Sequence, residues 1–441
     1  MMRVRWRCFQ CAAACLVSFF SDGCRLCSSD VSYHGQGLTS LTSTPPCSPW
    51  EAVVSLADVN KLLQHFDCMS SVHLCGLKKS FGDQIVIENL DLMIEAGTYL
   101  VLLGPSGCGK TTTLRMIAGL ESPIAGKVVM DGNDMTCVPP RKRDVSMVFQ
   151  NDGLYPHLTV EQTIRLSLRG RCSKGEQESR VSDAVRLTGL GTLLGKLPRQ
   201  LSGGELRRAA LATAVAKKTA VRLLDEPLSG LDVAVRQQLQ EDILRWHHSV
   251  PGTTVHVTHD GREAMRMADQ IAVMDGGRVI QVGSPEQVYD QPQTIGVASA
   301  IGTPAMNWLQ ADLVDGVIQI SDRSNVTTGE ALRIDGPDGP VVIGLRPNAF
   351  RLWSDRDGDT GGQGITFQAV MQDCRAVEES TEVVLSASGW RFIAVFDRSD
   401  AGAARRNVSP VSQNFTLWAP AASFHVFSTL TQQRLKLSDV G

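Results

Sequence analysis

Residues Tyr99 to Gly119 read YLVLLGPSGCGKTTTLRMIAG, and no other stretch limits the fold so sharply. Tyr99 to Leu103 is an unbroken apolar run, which predicts a strand buried on both faces of a parallel sheet. Gly104, Pro105, Ser106, Gly107, Cys108, Gly109, Lys110 and Thr111 then fit G-x-x-x-x-G-K-[ST] without a gap. Past Thr112, Leu114, Ile117 and Ala118 recur at helical spacing. The order is strand, glycine loop, helix, and phosphate chemistry needs that order. Gly107 and Gly109 let the backbone turn its N–H groups around an anion. The helix starting near Gly109 aims its positive end at the same point. Lys110 reaches the β- and γ-phosphates, and the Thr111 hydroxyl ligates Mg²⁺. A glycine-rich turn before an ordinary helix also satisfies the bare pattern. The flanking strand and helix favour a bound nucleoside triphosphate.

The 441 residues leave room for two or three domains with real cores. A net charge of -3 gives no reason to expect a nucleic-acid partner. No apolar run is long enough to span a bilayer, so any spanning part is expected from a partner. Seven of the 12 cysteines precede Met69. Cys8/Cys11 and Cys24/Cys27 form C-x-x-C pairs, but apolar neighbours and the lack of a histidine pattern disfavour zinc. The later cysteines are expected as reduced thiols in a cytosolic compartment. Arg3, Arg5 and Arg7 before the apolar stretch Phe9 to Phe20 imitate a signal peptide. Export is not expected of a domain that consumes ATP. The expectation is that translation starts at Met69 and that residues 1–68 are upstream sequence or a disordered extension.

From Ser71 the pattern is regular. Val72 to Leu77 predicts a strand, and Ile85 to Ile94 a strand pair broken at Glu88-Asn89. Val128 to Met130 followed by Asp131-Gly132 predicts a hairpin strand and its turn. Residues 152–200 lean helical, and Ala209 to Ala216 reads as a buried helix. Val221–Leu224, Thr253–Thr258 and Ile271–Met274 read as strands alternating with helices, which implies a parallel sheet covered on both faces. After about Ser299 short strands with turn-rich spacers predict a separate small β-barrel.

Val221 to Glu226 is an apolar strand ending in two carboxylates. Beside a glycine loop, such a strand delivers Asp225 to the magnesium shell. Glu226 is then placed to accept a proton from an attacking water. A strand ending in surface acids is the plainer alternative when this segment is taken alone. Arg222 is odd in a buried strand and is expected to snorkel at an edge. Leu201, Ser202, Gly203, Gly204 and Glu205 precede a helix and form a second candidate anion site, or simply a capped helix start.

With LSGGE lying between the glycine loop and the acidic strand, the chain resembles the ABC-transporter ATPases from about Val72 to Asn307. That resemblance implies an α/β P-loop ATPase domain with a helical subdomain over residues 69–300 (helical part about 152–215), then an OB-like β-barrel over 301–441. It implies ATP and Mg²⁺ as ligands. It makes Gln150 the Q-loop glutamine near magnesium and water. His259 becomes the switch histidine near the γ-phosphate, Asp232 the end of the D-loop, and Phe81 the aromatic that stacks on adenine. The catalytic set is then Glu226, His259, Gln150 and Lys110, with Thr111, Gln150 and Asp225 around the metal. The signature of one subunit is expected to close over the ATP of another in a homodimer. Two transmembrane permeases and a solute-binding protein are the implied partners, with the chain peripheral at the cytoplasmic face of the inner membrane. Gly344-Leu-Arg-Pro347 and Phe424-His-Val-Phe427 resemble the maltose and glycerol-3-phosphate importer ATPases, so a sugar or glycerol-3-phosphate is the expected solute. Importers of polyamine, sulfate or ferric iron are the alternative. A non-transport member is disfavoured by the lack of a basic patch, coiled-coil insertions and tandem ATPase halves. Glu205 stands where glutamine is more usual. His73, His157, His256 and the pair His247/His248 are expected to be structural.

Overall fold

Strand β3 (Tyr99–Leu103) is buried at every position, and its side chains divide between two cores. Tyr99, Val101 and Leu103 pack with the helical layer. Leu100 and Leu102 pack with the first helix and the N-terminal sheet. This is the alternation that a doubly covered parallel strand imposes. The computed structural model describes residues 69–149, 154–320, 326–328, 333–352, 364–377, 380–397 and 414–437. The expectations for residues 1–68 and for Gln150 lie outside them.

Two sheets build the first half. One is antiparallel and holds β1 (Val72–Phe81), β2 (Gln84–Ile94), β4 (Ala125–Met130) and β5 (Asn133–Asp134), in the order β2-β1-β4-β5. The β4–β5 turn has φ of 47° at Asp131 and 75° at Gly132, the double positive φ that a tight hairpin requires. The other holds β6 (Val145–Val148), β7 (Val221–Asp225), β8 (Thr253–Thr258), β9 (Gln270–Asp275) and β10 (Arg278–Gly283) around β3, in the order β10-β9-β3-β8-β7-β6. All its pairings are parallel except that of β10 with β9.

Helix α1 (Lys110–Ala118) follows β3 directly. The helical part comprises α2 (Val160–Ser167), α3 (Lys174–Thr188) and α4 (Gly203–Lys217). Then come α5 (Val233–Ser249), α6 (Gly261–Met267), α7 (Pro285–Asp290) and α8 (Ile295–Ala300). Beyond Met306 the described residues form two antiparallel sheets that share one core, including Leu309, Ile343, Phe350, Phe367, Phe392 and Val426. The sheets curl into a barrel-like domain. Arg346 ties it to the ATPase part: its guanidinium donates to the carbonyls of Tyr289, Ala298 and Ile301 and lies 4.1 Å from the Tyr289 ring centroid.

Two expectations need correction. Gln84–Ile94 is one strand, not a broken pair. The irregularity is a set of register shifts against β1 between Leu74 and Ser80, which a β-bulge absorbs without ending the ladder. Arg222 does not snorkel at an edge. It lies on β7, between β8 and β6, and is 1% exposed. Its guanidinium runs under the Trp246 ring, 4.7 Å from the centroid, to the carbonyls of Val250 and Pro251.

Candidate active site

The loop between β3 and α1 is shaped by its glycines. Gly107 has φ of 83° and Gly109 of 103°, conformations that exclude an ordinary side chain. A Cβ on Gly109 would also stand 2.7 Å from Ile87 Cδ1, and one on Gly104 2.2 Å from the Met274 carbonyl oxygen. The backbone is therefore held close against β2 and β9, while Pro105, Ser106 and Gly107 face solvent. Lys110 is 5% exposed. Its ammonium donates to the carbonyls of Gly104 at 2.8 Å and Pro105 at 2.7 Å, so it stands over the loop mouth. The Cys108 thiol packs in the same core, and burial pushes it up. Phe81, at the end of β1, is 49% exposed, with Lys79 Nζ 4.9 Å from its ring centroid. The Lys79 ammonium is in turn held by Glu121 at 2.9 Å.

Parallel pairing brings the ends of β7 and β8 to the same edge. The Thr111 hydroxyl donates to Asp225 Oδ1 at 2.8 Å. Asp225 is buried, and burial pushes its carboxyl up, with the Thr111 hydroxyl opposing and Glu226 adding. A desolvated carboxylate beside a hydroxyl fits a divalent cation, because a cation supplies the charge that burial withholds. Among the described residues no group of three or more His, Cys, Asp or Glu gathers as a complete metal site. A cation here would need triphosphate oxygens to fill its shell, as Mg²⁺ commonly does.

Glu226 follows with φ of 46°, a left-handed conformation that costs a non-glycine residue about 1–2 kcal/mol. Its backbone N–H donates to the Val257 carbonyl at 3.0 Å, and its own carbonyl accepts from Ser229 N–H at 3.2 Å. The Ser229 hydroxyl adds a bond to that carbonyl at 3.0 Å. The strained turn swings the carboxylate toward β8, where Oε1 lies 3.3 Å from His259 Nδ1. The His259 side chain is 56% exposed and that of Glu226 18%.

The LSGGE segment starts α4. Ser202 and Glu205 form a reciprocal capping box: Ser202 N–H donates to Glu205 Oε2 at 2.7 Å, and Glu205 N–H donates to Ser202 Oγ at 3.4 Å. Glu205 thus serves its own loop, and the Ser202 backbone N–H holds its carboxyl below the usual range. Gly203 is exposed, Leu201 half-buried. A Cβ on Gly204 would meet Val235 Cγ1 at 2.5 Å, so this loop packs on the start of α5. Asp232 caps that helix, accepting from Val235 N–H at 3.0 Å.

Lys110, Thr111, Asp225, Glu226 and His259 are thus linked around one sheet edge. Ser202 and Asp232 lie at helix starts elsewhere, and Thr112 is half-buried on α1. Sequence reasoning missed Arg207, whose NH1 donates to the Phe149 carbonyl at 3.1 Å and joins α4 to the segment just before Gln150. It also missed Arg236 and Asp260. Their only sequence signal is position, one turn after Asp232 and one residue after His259.

A glycine loop, a buried acid on its hydroxyl and an acid–histidine pair at one edge of a parallel sheet define a P-loop nucleotide triphosphatase. Comparison with known proteins narrows the class. The ABC transporter family profile matches residues 87–229. The sn-glycerol-3-phosphate import ATP-binding protein UgpC of Cereibacter sphaeroides is 41% identical over 375 residues, covering 83% of this chain and 100% of that protein. UgpC 2 of Rhizobium johnstonii is 39% identical, over 73% of this chain and 88% of its own length. The trehalose/maltose import ATP-binding protein MalK of Thermococcus litoralis is 42% identical, over 63% of this chain and 78% of its own. The chain belongs to the ATP-binding proteins of ABC importers and is an ATPase.

Proposed function

We propose that this chain hydrolyses MgATP to drive uptake of a sugar or of a glycerol phosphate through two transmembrane permeases, fed by a solute-binding protein. It works at the cytoplasmic face of the inner membrane as a peripheral subunit. Among its described residues no helix is long and apolar enough to cross a bilayer. The solute class rests on the names of the relatives that span most of this chain.

In this reading the Gly104–Thr112 loop and the start of α1 hold the triphosphate, and Lys110 leaves its carbonyl partners for the outer phosphates. Phe81 stacks on adenine. Thr111 and Asp225, with Gln150, would hold Mg²⁺, which would supply charge neutralisation on the phosphates. Glu226 accepts the proton of the attacking water, and His259 orients the Glu226 carboxylate and the terminal phosphate. The exposed Ser202–Gly203 turn and Asp232 meet the nucleotide held by a second copy of the chain. Most of the rate enhancement comes from prearranged positive charge and N–H groups facing the transferred phosphoryl.

The observation that carries this reading is the adjacency of the Thr111–Asp225 bond to the Glu226–His259 contact. Glu226→Gln keeps the shape and removes the base. It should bind ATP normally and lose turnover by about 10²–10⁴-fold, measured by phosphate release alongside nucleotide titration. Normal hydrolysis in that variant removes Glu226 from the chemistry. Reconstitution with the neighbouring permeases and binding protein tests the solute: stimulation by polyamine, sulfate or iron instead of a sugar or glycerol phosphate overturns that part alone.

A further inference from the structure

Arg236 stands one turn into α5, and its guanidinium reaches two loops at once. One nitrogen, NH2, donates to the Leu231 carbonyl at 3.2 Å. NH1 lies 3.5 Å from Asp260 Oδ2. Its Nε is shielded from solvent with no hydrogen-bond partner among the described residues. Leu231 belongs to the Ser229–Asp232 loop that follows Glu226. Asp260 follows His259.

Asp260 is itself fixed. Its Oδ1 accepts from Arg262 N–H at 2.8 Å, capping α6. Its own N–H donates to Thr258 Oγ1 at 3.0 Å, and that hydroxyl donates to Glu263 Oε2 at 2.7 Å. The contacts close a ring: Glu226, the loop to Leu231, Arg236, Asp260, His259 and back to Glu226. The ring surrounds a cleft of about 90 Å³ lined in part by Glu226, Gly230, Arg236 and His259. Moving either loop by itself would stretch the Arg236 contacts, so the guanidinium makes the two loops shift together.

We infer that Arg236 is a positioning residue for ATP hydrolysis: by joining the Leu231 carbonyl to the Asp260 carboxylate it sets where the His259 imidazole stands against Glu226. This rests on the roles proposed above for Glu226 and His259. The Arg236 and Asp260 side chains are 35% and 29% exposed, so the pair adds little to folding stability. Its effect belongs in turnover.

The test uses the purified full chain and the variants Arg236→Ala, Arg236→Lys, Asp260→Asn, the double variant Arg236→Ala/Asp260→Asn, and His259→Ala. Arg236→Ala and Asp260→Asn should each lower kcat about tenfold, with KM for ATP unchanged. The double variant should fall no further than either single one, because both break the same tie. Arg236→Lys should recover part of the rate, since a single ammonium keeps the charge but not the two-way reach. Melting temperatures should stay within about 2 °C. Multiplied losses in the double variant, a rate loss that tracks a fall in melting temperature, or full turnover in Arg236→Ala beside an impaired His259→Ala each overturn the tie alone. Full turnover in His259→Ala overturns the assigned role of His259 and the tie with it. Arg236→Lys and Asp260→Asn carry the comparison if the alanine variant does not fold.

Discussion

Arg222 offers a stability prediction that separates charge from volume. Burial alone pushes its guanidinium down to about 10, well below the ordinary arginine range, a desolvation cost of about 3 kcal/mol. Its charged N–H groups reach the carbonyls of Val250 and Pro251, worth about 1.5–3 kcal/mol each. The Trp246 face adds about 1–2 kcal/mol. Nε and NH1 have no hydrogen-bond partner among the described residues. Gain and cost therefore offset to within a few kcal/mol, and what the side chain mainly supplies is filled volume under Trp246. Arg222→Ala opens a cavity and strands two carbonyls, so it should destabilise by about 3–5 kcal/mol. Arg222→Met fills the space without a charge and should lose less than about 2 kcal/mol. Differential scanning calorimetry of the full chain would read the first as a drop of about 10 °C in the ATPase transition and the second as a drop of a few degrees. ATP turnover at 25 °C should survive in both, because Arg222 touches neither Asp225 nor Glu226. If Arg222→Met melts as low as Arg222→Ala, the charged bonds rather than the packed volume hold this site, and the reasoning fails.

Two further outcomes follow from the same geometry. Lys110→Ala removes the ammonium over the loop mouth and should weaken ATP binding at least about tenfold; unchanged affinity in a fluorescent-nucleotide titration would count against the phosphate assignment. Burial holds His256 down to about 3, and His247 and His425 to about 4. The folded chain therefore binds fewer protons than the unfolded chain below pH 6.5. Stability should be complete above pH 6.5 and fall as the pH drops toward 4, by up to about 1.4 kcal/mol per unit for each histidine. Urea midpoints at pH 7, 6 and 5 measure this, and a flat profile contradicts it.

Much of the site was legible because its chemistry is carried by consecutive residues. Gly104 to Thr111, Asp225-Glu226 and Leu201 to Glu205 each place several groups by local backbone geometry alone. The fold was legible where burial is one-sided or total: Tyr99–Leu103 reads as one strand because both its faces meet apolar layers. Asn307–Val314 is harder to read, although Leu309, Ala311 and Leu313 alternate inward. The apolar Trp308 and Val314 face outward and blur that alternation, and the partner strand Gly339–Leu345 lies far along the chain. The polar pair Glu88-Asn89 suggested a break, but an exposed bulged strand tolerates it. Glu88 also finds Arg278 at 2.7 Å, from a strand 190 positions on.

The cations that sequence could not place share one arrangement. Arg143, Arg222 and Arg346 are each at most 3% exposed, and each donates to backbone carbonyls at the end of a helix. Arg143 takes Met116 and Ile117 of α1, Arg222 takes Val250 and Pro251 just past α5, and Arg346 takes Ala298 and Ile301 at the end of α8. Those carbonyls lie in or just past the last helical turn, where acceptors are short of donors and the helix carries its negative end, so a guanidinium serves both needs without a carboxylate. Each helix is followed by a glycine with positive φ, at Gly119, Gly252 and Gly302. A Cβ on any of them would approach the matching guanidinium to 2.6–2.7 Å. The acceptor is thus a group every residue owns, and the space for the donor is an absent side chain. Neither leaves a pattern along the chain, so only the packing of one element on another decides which arginine is buried and which helix end receives it.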